Sequence, residues 1–513
     1  MIHNFQDGNV RVYSGAPSTE TQNTKIHYER GKLSVYAEGT ADRVIELVWQ
    51  FHLPQNAKLL GDAWERGYGE LEWRSLPQAG EMPWYFLIYA DGKTTAFGVK
   101  TQPNALCWWT ADGETVTLHV DISCGADPVQ LNGRRLCVCE VVTAEYDCDP
   151  FEAAQQFCRA LCEHPRLPKE PVYGGNDWYC NYGESSFEKI LTHTKRIAAC
   201  APQDGPRPYM VVDDGWELCL HNEHTAECYF NGGPWRYCNR KFGDMQALAQ
   251  EINALGVKPG LWFRPLLTTE NLPDSYILKH RGIMYTLDPS VPEVLEIVKE
   301  DVRCFREWGY QLLKHDFSTF DLFGKWGFEP GFRTPDVHFA DRTKTTAEII
   351  KNLYAAIREA AGDEIVIIGC NTMSHLSAGF FEIQRTGDDT SGEDFSRTRK
   401  MGVNTLSFCM PQHEAFYACD ADCVGITRKV PWALNKKWLD VLSKSGTPLF
   451  VSIADDAFTP EVQADITAAF VRAAKPAQVS KPPDWMEAQL PRLWESTYGT
   501  DEYDWQEGTN DLP

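Results

Sequence analysis

The sequence predicts an α/β protein: a (β/α)8 TIM barrel carried behind an N-terminal all-β sandwich. Three observations predict it. Residues 1 to about 150 hold short runs of β-formers joined by Asp-Gly turns. From about 171 to 475 the chain alternates strand-like and helix-like segments. Charged and polar residues recur at the ends of those strand segments, where a barrel keeps its active site.

Taken in order, Arg43 to Leu53 is rich in β-formers. Trp84 to Tyr89 and Thr94 to Val99 flank an Asp91-Gly92 turn and predict a hairpin; Leu106 to Thr110 and Thr115 to Ile122 repeat the device around Asp112-Gly113. Many short strands with such turns predict a sandwich. Asp149 to Cys162 has helical spacing, with Asp149 as cap and Pro150 in the first turn. Pro165, Pro168 and Pro171 then punctuate a linker, so the boundary is expected between residues 165 and 171. Strands are predicted at Val172 to Tyr179, Tyr209 to Asp214, Lys258 to Leu266 and Gln311 to Phe317, and again at Ile365 to Cys370, Glu382 to Thr386, Thr405 to Cys409 and Leu449 to Ile453. Helices are predicted at Ser186 to Cys200, Met245 to Leu255, Val294 to Trp308, Thr345 to Ala361, Trp438 to Ser443 and Pro460 to Ala474. Repeated βα units over this length fit a closed barrel better than an open sheet. Residues 476–513 form a short, acidic, tryptophan-bearing tail.

Composition narrows the partners. A length of 513 residues exceeds one ordinary core and predicts two or three domains. A net charge of −23 argues against nucleic acid and anionic membrane surfaces, which attract basic patches. No apolar run is long enough to span a bilayer. The 17 cysteines are an odd number without framework or zinc spacing, and Met1 to Asp7 has no export-signal character. Free thiols without a signal predict a cytoplasmic protein. No Gly-x-Gly-x-x-Gly or P-loop is present, and no cofactor is expected.

The chemistry gathers in two stretches. In Leu312 to Phe317, alternation sets Leu312, Lys314 and Asp316 on one face of a strand, and burying two charges there demands pairing. The second stretch is Arg385-Thr386-Gly387-Asp388-Asp389. Further strand ends offer Asp177 and Trp178, then Asp213-Asp214-Gly215-Trp216, Trp262 with Arg264, and Cys370-Asn371. Carboxylates from separate strands, with aromatics and cations, suit a pocket that grips hydroxyls and cleaves an acetal. Two carboxylates about 5–5.5 Å apart suffice for retaining glycoside hydrolysis, one attacking the anomeric carbon and the other serving as acid and then base. Lys314 beside Asp316 would hold that carboxylate ionised. Blander explanations exist for several motifs. Asp213-Asp214-Gly215 also reads as a turn, and Asp455-Asp456 reads as a helix cap region. His221-Asn222-Glu223-His224 has no third ligand at metal spacing, so no metal is expected. Tyr417 to Asp422 is polar in a strand-rich zone, and its rank among pocket candidates stays open.

Asp213-Asp214-Gly215-Trp216, Gly260-Leu261-Trp262-Phe263-Arg264-Pro265, Lys314-His315-Asp316 and Arg385 to Asp389 together resemble the ordered motifs of the α-galactosidase and raffinose-synthase group (melibiase-like, glycoside hydrolase clan D, family 36-like). The resemblance covers about 171 to 460. It implies a β-sandwich on a (β/α)8 barrel, retention of anomeric configuration, and Asp316 as nucleophile. For the acid/base, the Arg-x-x-x-Asp spacing implies Asp389 and the Gly-Asp-x-Thr context implies Asp388; strand alternation, with Arg385, Gly387 and Asp389 on one face, favours Asp389. Asp213, Asp214, Lys314 and Arg385 would hold the sugar, with Trp178 and Trp262 as walls. Two departures, Arg264 where many members carry glutamate and Cys370-Asn371-Thr372-Met373 where many carry a glycine-rich segment, bear on glycone choice rather than mechanism. The expected function is hydrolysis of terminal α-linked sugars from small oligosaccharides or glycosides. A raffinose-synthase-like transglycosylase and a non-catalytic carbohydrate-binding barrel are the alternatives, and a homo-oligomer is among the expected states.

Overall fold

The computed structural model describes residues 11–14, 24–41, 43–218, 231–280, 285–333 and 336–506. His221 to His224 lie outside the described residues. Two antiparallel sheets occupy the first part of the chain. One orders Arg11–Ser14, Val44–Gln50, Thr115–Asp121, Leu106–Ala111 and Met82–Pro83. The other orders Lys25–Glu29, Lys32–Tyr36, Arg135–Tyr146, Lys93–Val99, Tyr85–Ala90, Lys58–Gly61 and Arg74–Ser75. Strict alternation in Val44–Gln50 buries every second side chain. The inner rings of the two sheets meet, with Trp109 lying 5.8 Å from both Phe86 and Phe97. Asp91 and Gly92 both take positive φ, 51° and 80°, as a two-residue turn of this hand demands. The helix Pro150–Leu161 follows, with Asp149 accepting from the Phe151 and Glu152 N–H groups.

The rest of the chain is organised by one nine-stranded parallel sheet. Its strands are β1 (Tyr173–Asn176), β2 (Tyr209–Val212), β3 (Lys258–Phe263), β4 (Leu312–His315), β5 (Val366–Gly369), β6 (Ile383–Arg385), β7 (Ala418–Asp420), β8 (Cys423–Ile426) and β9 (Leu449–Ile453). They run in the order β7-β6-β5-β4-β3-β2-β1-β9-β8. The two edge strands, β7 and β8, are neighbours in the chain, separated only by Ala421 and Asp422. Helices alternate with the strands: α1 (Phe187–Cys200), α2 (Met245–Ala254), α3 (Pro292–Trp308), α4 (Thr346–Ala361), α5 (Trp432–Ser445) and α6 (Pro460–Ala473). Ser186, Asp244, Thr345 and Thr459 each cap a helix by accepting from the third backbone N–H.

The period of two along each strand positions the site. Val211, Leu312, Ile368, Ile383 and Ala418 pack together as an apolar cluster separate from the main core. Two residues further on, on the same face, stand Asp213, Lys314, Cys370, Arg385 and Asp420. An apolar plug therefore underlies a ring of polar groups at the C-terminal strand ends.

Three segments differ from the sequence expectation. Thr405–Cys409 is a helix and not a strand, although its residues alternate like one. It continues a helical run, all five residues are buried, and Thr405 and Ser407 turn their hydroxyls back onto the Met401 and Val403 carbonyls. Its expected place in the sheet is taken by Ala418–Asp420 and Cys423–Ile426. The strand expected over Val172 to Tyr179 stops at Asn176, whose side-chain oxygen accepts the Trp178 N–H and starts a short helix, Trp178–Asn181. In the tail, Leu493–Ser496 and Gly499–Glu502 form a hairpin, and Trp485 packs against Trp73, Phe151 and Phe408. No helix among the described residues is long and apolar enough to cross a membrane.

Candidate active site

Asp213 is the hub of one side. Its Oδ2 accepts from Lys314 Nζ at 2.8 Å and from Asn176 Nδ2 at 2.6 Å, its Oδ1 accepts the Asp214 N–H at 2.9 Å, and its own N–H donates to Asp177 Oδ1 at 2.8 Å. Lys314 is thus ion-paired to Asp213 rather than to Asp316, which corrects the pairing expected from strand alternation alone. Burial pushes the Asp177 carboxyl up to about 6. Beside this hub the buried Glu217 is raised well above the usual carboxylate range, by burial first and by the Asp214 charge second. Gly215 is required between them: a Cβ there would come 2.5 Å from the Gly183 carbonyl oxygen.

Asp316 follows the last residue of β4. Its Oδ2 accepts from Trp262 Nε1 at 3.0 Å and its Oδ1 accepts the Phe317 N–H at 2.8 Å. Burial works to raise its pKa. The charges of Lys314 and Arg66, with the Trp262 and Phe317 donors, outweigh burial and hold it below the ordinary carboxylate value. Trp262 is itself fixed, because Trp216 Nε1 donates to its carbonyl at 2.9 Å and the Trp235 ring stands edge-on to it. Arg264 is fully engaged: its Nε lies 2.9 Å from Asp321 Oδ2, its Nη1 2.6 Å from Asn231 Oδ1, and its guanidinium 4.2 Å over the Phe317 ring.

The third cluster surrounds Arg385. Its Nη1 points to Cys370 Sγ at 3.3 Å, while Nη2 reaches Asp422 Oδ2 at 3.1 Å and Asp389 Oδ1 at 3.4 Å. Asp422 also accepts from the Thr390 N–H and hydroxyl, each at 2.8 Å, and from the Tyr179 hydroxyl. The adjacent aspartates differ. Asp388 is bracketed by Arg66 Nη2 at 2.7 Å and Arg397 Nη2 at 3.1 Å. Asp389 is the more open of the two, its side chain 40% exposed against 25%. Desolvation, with the carboxylates of Asp422 and Asp388, outweighs Arg385 and Lys314, and its carboxyl is pushed up to about 6.

The described residues singled out for the site lie at or just beyond these strand ends, but in different states. Asp213 pairs with Lys314, Trp262 with Asp316 and Arg385 with Asp389. Asn371 is fully buried, with its amide engaged by Glu65 and the Phe320 N–H. Cys370 is also buried, between the Arg385 and Arg66 guanidiniums. Trp178 is half-buried, its ring 5.6 Å from that of Tyr182. Asp455 is not the cap of α6, a role Thr459 fills; it pairs with Arg196. Sequence reasoning missed Glu65, Arg66, Tyr179, Glu217 and Asp321, and left two more, Asp420 and Asp422, unranked within Tyr417 to Asp422. Alternation across Asp420-Ala421-Asp422 was a usable signal for the last two; Glu65 and Arg66 sit in a glycine-punctuated loop that gave none. Among the described residues no group of three or more His, Cys, Asp or Glu is arranged to hold a metal ion.

No family model matches the chain. Solved structures do resemble it. An α-galactosidase from Thermus thermophilus in complex with p-nitrophenyl α-D-galactopyranoside is 16% identical and superposes with a TM-score of 0.63, over 97% of this chain and 99% of that one. A GH36 α-galactosidase (AgaA) from Geobacillus stearothermophilus is 16% identical with a TM-score of 0.57, over 91% of this chain and 73% of that one. The galactosidase domain of an α-galactosidase–sucrose kinase is 13% identical with a TM-score of 0.55, over 91% and 71%. By these likenesses the chain has the fold of the GH36 α-galactosidases.

Proposed function

We propose that the protein is a retaining α-glycosidase, α-galactosidase-like, that removes terminal α-linked sugars from small oligosaccharides. The single observation that carries this reading is the opposite tuning of two carboxylates beyond the ends of β4 and β6, the strands on either side of β5. Asp316 is held ionised by cations and N–H donors, and Asp389 is pushed up to about 6. Environments that drive two carboxylates apart in this way separate a nucleophile from an acid. Asp316 attacks the anomeric carbon as the glycosidic bond breaks, and Asp389 passes its proton to the leaving oxygen. Asp389, now a carboxylate, takes a proton from water as that water displaces Asp316 and releases the sugar. Asp388, tied to two guanidiniums, is the weaker candidate for this proton transfer. Asp213, Asp214, Lys314 and Arg385 hold sugar hydroxyls, Trp178 and Trp262 form walls, and Arg264, Cys370 and Asn371, whose polar groups are already engaged, shape the wall behind them.

The same reading takes β7 and β8 as one strand broken at Asp422, which closes the sheet as a (β/α)8 barrel over residues 171–475. The antiparallel sheets are then a sandwich domain over residues 1–165, and 476–513 a tail. Solved neighbours crystallised with stachyose and with p-nitrophenyl α-D-galactopyranoside support an oligosaccharide or glycoside as substrate. The test is hydrolysis of a panel of nitrophenyl α- and β-glycosides, with proton NMR of the first-formed sugar. Release from an α-galactoside with the α-anomer appearing first supports the reading; a β-anomer appearing first defeats the retaining mechanism, and silence across the panel defeats the assignment.

A further inference from the structure

Arg66 comes from the loop after Lys58–Gly61, in the antiparallel part of the chain, yet its side chain is only 4% exposed and ends among groups from the parallel sheet. Its Nη2 lies 2.7 Å from Asp388 Oδ1, its Nη1 3.8 Å from Cys370 Sγ, and its guanidinium faces the Tyr68 and Trp326 rings at 5.7 and 5.4 Å. The backbone delivers it there. The Gly67 N–H donates to the Thr386 carbonyl at 2.8 Å and the Asp388 N–H donates to the Gly67 carbonyl at 3.2 Å, a short bridge between the two parts of the chain. The close approach continues on the other side, where a Cβ on Gly387 would come 2.0 Å from the Met401 carbonyl oxygen.

We infer that Arg66 is a positioning residue of the catalytic centre: it holds the Asp388 carboxylate in place beside Asp389 and completes the set of cations around Asp316. The inference rests on the roles proposed above for Asp316 and Asp389. Two guanidiniums bracket Asp388, but Arg397 is 42% exposed and screened by solvent, so the buried Arg66 is the stronger hold. Asp389 is faced by Arg385 and Lys314 as cations, by Asp422 and Asp388 as anions, and by the Tyr179 hydroxyl. Asp316 is faced by Lys314 and Arg66, by the Cys370 thiol, by the His315 ring and by the Trp262 N–H. Arg66 therefore acts on the nucleophile directly, and on the acid through the carboxylate it holds. An arginine that merely bridged the two parts of the chain would change how much folded protein there is, not the pH at which the groups titrate.

The test is kcat/KM against pH for the wild type, Arg66→Gln, Arg66→Lys and Asp388→Asn, on a glycoside the wild type hydrolyses. Arg66→Gln is expected to lower kcat/KM at least about tenfold and to move the acidic limb up by about one pH unit, since Asp316 loses a cation. Arg66→Lys keeps the charge without the fork and recovers part of both. Asp388→Asn is expected to move the alkaline limb down by about one unit, because Asp389 loses an anionic neighbour. Limbs of Arg66→Gln and Asp388→Asn that coincide with those of the wild type would overturn the inference. Should Arg66→Gln fail to fold, Arg66→Lys and Asp388→Asn decide it by the same limbs. A wild type that turns over no glycoside sinks the roles of Asp316 and Asp389 themselves, and the inference with them.

Discussion

The two sides of the site treat a carboxyl group in opposite ways. Around Asp316 two cations and two N–H donors favour the charged form: Lys314, Arg66, Trp262 and the Phe317 backbone. Around Asp389 two carboxylates, Asp388 and Asp422, stand against Arg385 and Lys314, and with desolvation they raise the carboxyl to about 6. Lys314 contributes to both, so it does not explain the difference. What differs is the pair of carboxylates, Asp422 and Asp388, that raise Asp389, against the Trp262 and Phe317 N–H donors that lower Asp316. The lesson is that burial alone does not assign a role to a carboxylate; the charge count around it does.

That comparison breaks most visibly at Asp316. Asp316→Gly should lose at least about 10³-fold in rate, the scale for removing a central catalytic group. Added azide should recover part of the turnover as a glycosyl azide of inverted configuration; an Asp316→Gly protein with near-normal turnover would end the reading. Asp389→Ala should cost about 10²–10³-fold on substrates with poor leaving groups and far less on activated ones, because only the former need a proton. Comparing a natural oligosaccharide with a nitrophenyl glycoside checks it, and equal losses on both would shift the acid to another residue. The smallest effect sharpens the contrast from below. Leu312→Ala opens a space in the apolar plug and should cost about 2 kcal/mol or more in chemical denaturation. Both limbs of its pH profile should stay in place, since the plug carries no charge.

Much of this was legible in the sequence, for reasons that are local. Alternation in Leu312 to Asp316 is a property of any strand, so the face shared by Lys314 and Asp316 could be read directly, whereas the strand Ile383–Arg385 ends before Asp389 and the alternation expected there does not reach it. The Asp91-Gly92 turn and the Asp149 cap were equally local. What escaped was long-range. Asp213 competes for Lys314 across two strands, and no spacing announces which carboxylate wins. Arg66 is brought to Asp388 by a bridge between Gly67 and Gly387 that depends on tertiary packing. Thr405–Cys409 failed for the same reason: its alternation fits a strand, and its surroundings made it a helix.

The most direct measurement is the pH dependence of kcat/KM for the wild-type protein, which reports the ionisations of the free enzyme. The nucleophile must be ionised, so activity falls only below the ordinary carboxylate value, where Asp316 takes up its proton. The acid must be protonated, so activity falls as pH rises through about 6, where Asp389 loses it. The account predicts a bell with those two limbs, its alkaline limb lost in Asp389→Ala on an activated substrate. A profile that stays flat from pH 5 to 8, or an alkaline limb that survives in Asp389→Ala, would contradict the opposite tuning of the two carboxylates.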